Sequence, residues 1–160
     1  RSMKLSLKNI KHTEWASEET HCYQASLYVD GKPVAVVSND GHGGGRDFPH
    51  SKFKGDYRAK MTEVREHFSA LPPVVCEWFE DGYLQDLEGW CCEEINTWLS
   101  AREFRGKMRN NTLLQKEGST DILGMPIRQT STDGSWSNGL RILNDMAFAD
   151  AFKIWQEYSR

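Results

Sequence analysis

The sequence predicts an α+β fold, an antiparallel sheet packed by about three helices, and three observations carry that reading. Alternating β-forming segments fill the N-terminal third and are joined by an Asp-Gly turn. Three later stretches place apolar residues at helical spacing. The coarse order β-β-β-α-α-β-β-α groups strands and helices instead of alternating them one by one. A length of 160 residues is that of one ordinary domain, expected over residues 3–160. Arg1 and Ser2 precede Met3, where the natural chain is expected to begin.

Residues 4–10 put Leu5, Leu7 and, after a slip, Ile10 on one side of a half-buried strand. Residues 20–29 are rich in β-formers, and Asp30-Gly31 leads into Lys32-Pro33 and the run from Val34 to Val37. Asp-Gly signals a hairpin because both central positions of such a turn favour positive φ, so a three-stranded antiparallel meander is expected. Residues 38–47 carry too little side-chain bulk to pack and read as an exposed loop. Tyr57, Met61, Val64, Phe68 and Leu71 recur at three and four residues, which predicts an amphipathic helix over 55–70 that stops before Pro72-Pro73. Residues 74–79 fit either a short strand or an extended link. A helix over 84–102, extendable to 108, has a broad apolar stripe with Glu94 inside it. A second strand pair is expected at 112–114 and 122–128, then a loop over 129–137. Ser137 or Asn138 would cap a closing helix over 139–158. That helix is apolar over so broad a face that it is either deeply buried or shared with a second copy of the chain.

Against 20 Lys and Arg stand 23 Asp and Glu, and the net charge of -3 argues against wholesale nonspecific DNA binding. No apolar run approaches the roughly 20 residues a bilayer span needs, so no membrane partner is expected. The cysteines Cys22, Cys76, Cys91 and Cys92 lack both a disulfide framework and metal-ligand spacing, which fits reduced thiols in a cytoplasm and no cofactor.

Candidate chemistry centres on the glycine-rich segment. Asn39, Asp40, Gly41, His42, Gly43 and Gly44, followed by Arg46 and Asp47, could turn several backbone N–H groups toward one anion. The Gly-Lys-Ser/Thr ending of a phosphate loop is missing. Lys52 and Lys54 would help Arg46 capture a nucleotide phosphate, and His21, His42, His50 and Asp40 would serve a metal-dependent hydrolase. Charge is segregated: seven acids and no base fall between Glu77 and Ala101, whereas Arg102, Arg105 and Arg109 recur on one helical face directly afterwards. Acids early and bases late complement a helix dipole, and the same pattern can steer a charged partner. Trp15, Trp78 and Trp136 sit in polar or irregular contexts suited to stacking or interface anchoring, while Trp90, Trp98 and Trp155 lie on apolar stripes. The common local signatures of hydrolases, dinucleotide enzymes and zinc deaminases are missing, which points away from catalysis.

The segments Leu27-Tyr28-Val29-Asp30-Gly31-Lys32 and Val37-Ser38-Asn39-Asp40-Gly41-His42-Gly43-Gly44 resemble small accessory proteins encoded by tailed phages and prophages, which share the strand, the turn and the S-N-D-G-x-G-G loop. Residues 111–118 carry a weaker similarity. The resemblance implies an accessory gene product acting inside a bacterial host cell, a class that includes inhibitors of host defence, and it carries over no catalytic residue. The expected activity is therefore binding of a host protein, such as a defence or nucleic-acid-processing protein. The expected surface is Asn39 to Asp47, with Arg102, Arg105, Arg109 and Trp136 as further contacts. A nucleotide-binding protein using the glycine loop and a metal-dependent hydrolase are the alternatives, and nucleic acid and self-association through the last helix are the other possible partnerships.

Overall fold

The Asp30-Gly31 turn is the pivot of the first sheet, with φ of 49° and 80° at its two central residues. The computed structural model describes residues 2–126 and 133–160. Strand β1 (Leu5–Thr13) pairs with β2 (Cys22–Val29), β2 with β3 (Lys32–Asp40), and β3 with β4 (Arg46–Pro49), all antiparallel and in sequence order. A bulge interrupts β1: Lys8 opposes Ser26 and Lys11 opposes Gln24, so three steps on β1 match two on β2. Asn9, at φ 54°, absorbs the extra residue, and this is the slip that the spacing of Leu5, Leu7 and Ile10 predicts.

The chain divides into two compact units, Arg1–Ile95 and Asn96–Arg160. In the first, Tyr23, Ala25, Leu27 and Val29 alternate along β2 toward one buried face, joined by Ala35 and Val37 of β3. Helix α1 (Tyr57–Ser69) buries Met61, Val64 and Phe68, and the Asp56 carboxylate caps it by accepting from the Ala59 amide at 3.0 Å. Tyr57 donates its hydroxyl to Asp47 at 2.6 Å, which ties α1 to β4. After the two prolines, β5 (Val74–Cys76) and β6 (Phe79–Tyr83) form a hairpin whose tip is Glu77-Trp78. The stretch 74–79 is thus a short strand only as far as Cys76 and then a hairpin turn, instead of the single strand or extended link expected.

Helix α2 (Leu87–Asn110) contains the boundary between the units. In the second unit, β7 (Asn111–Lys116) lies between β8 (Ile122–Pro126) and β9 (Leu140–Ile142) in an antiparallel three-stranded sheet, and α3 (Phe148–Tyr158) closes the chain. Phe104, Leu113, Ile122, Leu143, Ala151 and Trp155 make its buried core. Asn144 staples the unit: its amide donates to the carbonyls of Met108 and Asn111 at 2.8 and 2.9 Å, and its oxygen accepts from the Leu113 amide.

The α+β class stands, and three expectations need correction. The meander has four strands, because β3 runs on to Asp40 and β4 begins at Arg46, leaving only residues 41–45 as loop. The closing helix does not start at 139. Asn138 and Gly139 take φ of 51° and 73°, a second hairpin turn, and Leu140–Ile142 pairs with β7 before a single 3-10 turn (Leu143–Asp145) leads to α3. The expected cap at Ser137 or Asn138 is therefore a reverse turn, and Ala147 precedes α3 without a side-chain cap bond. The expected strand tail at 127–128 and the loop portion at 129–132 lie outside the described residues.

Candidate functional site

The glycine loop is a bonded turn, not a free one. Asn39 is only 4% exposed and sits at its centre. The Asn39 side-chain oxygen accepts from the Thr20 hydroxyl at 2.7 Å and the Gly41 amide at 2.9 Å, while its amide donates to the Gly43 carbonyl at 2.6 Å. The Gly41 carbonyl in turn accepts from the amides of Glu19 and Thr20. Three of the N–H groups an anion would need are already committed: His42 donates to Asp40, Gly43 to Thr20, and Gly45 to the Glu88 carboxylate at 3.1 Å. Each N–H turned toward an internal acceptor is lost to a ligand, which leaves little of a phosphate nest in this loop.

Other expected site residues serve the scaffold or stay apart. His42 is exposed, 3.5 Å from Glu18, and Asp47 accepts from Tyr57 and lies 3.5 Å from Arg65. His21 meets His12 across 3.3 Å, and His50 accepts from the Lys52 amide. Among the described residues, no group of three or more His, Cys, Asp or Glu is placed to hold a metal ion. Gly44 is exposed, and Arg46 opens β4. In the second unit, Arg102, Arg105 and Arg109 are exposed along α2, with Arg102 over the Trp98 ring and Arg105 over the Phe148 ring at 4.6 Å. Trp136 lies under the Arg141 guanidinium at 4.3 Å.

The hairpin β5–β6 presents the densest exposed apolar surface of the first unit. Trp78 is 84% exposed at its tip, and Val75, Phe79 and Leu84 are each more than half exposed. Phe79 and Tyr83 meet edge to face at 5.8 Å, which stiffens the strand that carries them. Gly82, at φ 78°, lets β6 pass close to Pro73, where a Cβ would come within 2.8 Å of the proline ring. Glu77, Glu80 and Asp81 are exposed on the same hairpin. A cavity of about 630 Å³ is lined by Val74 and Tyr83 of the hairpin, by Leu84, Trp90 and Cys92, and by the acids Asp86, Glu88 and Glu93. An exposed apolar surface interspersed with acids suits a partner with apolar pockets and basic groups.

Burial sets the ionisation of the groups beneath. Burial pushes the Cys91 thiol up to about 12 and raises Tyr23, whose hydroxyl bonds to Cys91, so both are neutral at neutral pH and neither is a poised nucleophile. Burial likewise raises the Glu94 carboxyl above its ordinary value. Its proton is held more tightly in the folded than in the unfolded state, so stability from this group is fully present below the unfolded pKa and is lost as pH rises through the folded one. Glu94→Gln should therefore raise the thermal midpoint modestly at pH 7 and give no advantage at pH 3. Melting curves at the two values check this.

Sequence reasoning reached Trp78 and the acidic run but not the strand pair that unites them. Among the described residues no helix is long and apolar enough to cross a membrane. No protein-family model, curated protein or solved structure matches the chain.

Proposed function

We propose that this chain is a phage-encoded accessory protein that acts by binding, and that it inhibits a host defence or nucleic-acid-processing protein by docking the β5–β6 hairpin onto it. The observation that carries the binding reading is the exposure of Val75, Trp78 and Phe79 on the hairpin and of Leu84 directly after it, because a strand pair holding so much apolar surface in water gains most when a partner covers it. The phage origin rests on the resemblance at residues 27–32 and 37–44. The acids on the hairpin select a target whose complementary groove carries Lys or Arg, and they steer encounter at low salt.

Trp78→Ser tests the site. The side chain packs on nothing that holds the fold, so the thermal midpoint should stay within about 2 °C of the parent. Retention of a host partner on the immobilised protein should fall by at least about 30-fold, the loss typical of an anchoring tryptophan, and inhibition of the partner's activity should fall with it. Equal retention by parent and variant rules out the hairpin as the docking element. Failure of any host protein to survive moderate salt, with no effect of the parent on phage infection, rules out the function.

A further inference from the structure

We infer that the open face of the four-stranded sheet binds single-stranded nucleic acid, at a site separate from the hairpin. Register defines the face. Lys8, Ser26, Val36 and Phe48 form one row across all four strands, and Lys11, Gln24, Ser38 and Arg46 form the next. The β1 bulge makes this possible: without the extra residue at Asn9, Lys8 and Lys11 would point to opposite sides, as odd spacing in a strand requires.

The chemistry of the two rows is that of a strand-binding platform. Cations stand at both margins, Lys8 and Lys11 on β1 and Arg46 on β4, about 14 Å apart as three strand spacings. Lys8 is fixed by its ammonium lying 4.4 Å over the Tyr28 ring, which holds that charge in place for a phosphate. Among the described residues, no carboxylate forms an ion pair with Lys8, Lys11 or Arg46. Between the margins lie the uncharged polar groups of Gln24 and Ser38, and Phe48 offers a ring that is 47% exposed as a stacking plane. A cavity of about 370 Å³ runs along the second row, lined by Lys11, Gln24, Ser38 and Arg46 and at its end by Asp40, and gives a base room to settle.

Occupancy by a single strand follows from three features together. Every base has a flat face that can stack on Phe48, and a flexible backbone can set its phosphates against cations at both edges. A duplex hides its base planes and would meet a flat sheet with no element to enter a groove. Asp40, next along β3 on the same face, closes the far end of that cavity with a carboxylate that repels phosphate, so the strand is expected to keep its phosphates at the Lys8, Lys11 and Arg46 margins and to cross the sheet from β1 to β4 along the two rows. Because phosphates and base planes are what this surface reads, DNA and RNA should bind alike.

The experiment is fluorescence anisotropy of a labelled single-stranded oligonucleotide of mixed sequence, titrated with the full chain at stepwise salt. DNA and RNA versions should bind within about threefold of each other. Log affinity should fall with log salt at a slope of about -2, the value for three cations on a single strand. Lys11→Ala and Arg46→Ala should each flatten that slope by about 0.7. Phe48→Ala should weaken binding about 10-fold and leave the slope unchanged. The duplex of the same sequence should bind at least about 10-fold more weakly, and Trp78→Ser should bind the oligonucleotide as the parent does. Circular dichroism confirms that each variant is folded. The inference is overturned by absence of binding at low salt, by equal affinity for duplex, or by loss of binding in Arg105→Ala/Arg109→Ala while the sheet variants keep it. A parent that binds the oligonucleotide but retains no host protein would separate this site from the hairpin's role.

Discussion

Phe104→Ala should destabilise the protein by about 3–5 kcal/mol, the largest effect expected of any single truncation in the second unit. The ring is fully buried, stacks on Trp155 with centroids 5.4 Å apart, and lies 5.8 and 6.0 Å from Phe148 and Phe152. Truncation removes the hub of this cluster and opens a void that its aromatic neighbours on α3 cannot refill without shifting that helix. At about 2–4 °C per kcal/mol for a chain of this size, the thermal midpoint should drop by roughly 10–15 °C. Phe104→Leu keeps most of the volume and should cost far less. Calorimetry on the pair checks the grading, and a loss under about 1 kcal/mol for Phe104→Ala would show that the cluster is not the core of its unit.

Gly41→Ala should cost about 2–4 kcal/mol, from a different cause. At φ 90° the residue already occupies backbone space that side chains avoid, and a Cβ there would stand only 1.9 Å from the Ala16 carbonyl oxygen. Backbone cannot yield as the end of a flexible side chain can. Relief requires moving the segment that Glu19 and Thr20 hold against the Gly41 carbonyl, so those bonds go as well. The neighbouring glycines supply the control series. Gly43 has φ 129° but open space, so Ala there should cost only about 1 kcal/mol, and Gly44, with ordinary φ and open space, should tolerate Ala or gain slightly. Denaturant melts of the three variants should rank them 41, 43, 44 in falling cost, and equal midpoints for all three would mean that the loop is not stapled.

How far these features were legible differs by element, for physical reasons. Asp30-Gly31 announced its hairpin because the turn's demand for positive φ is local. Asn138-Gly139 makes the same demand, but the helical spacing of Leu140, Leu143 and Ala147 competed with it, and the pairing of Leu140–Ile142 with β7 is a tertiary contact that periodicity does not contain. Composition alone makes the glycine run look loose. Its order comes from Thr20, 19 residues before Asn39, through a bond that no local pattern encodes. Trp78 stood out as a tryptophan among acids, yet a five-residue strand with Gly82 inside it carries little alternation to read. The slip between Leu7 and Ile10 implies that Lys8 and Lys11 share the opposite face, but their alignment with Arg46 depends on the pairing of β3 with β4, which no local pattern announced.

The sequential pairing of the first sheet has a kinetic consequence. Each of its strands joins the one synthesised just before it, so loop closure is short and the entropy lost at each step is small. During translation this hairpin stack can assemble as soon as residue 49 has cleared the ribosome. The second sheet sets β7 between β8 and β9, and β9 emerges about 25 residues after its pairing partner, which leaves that half of the chain to mature last.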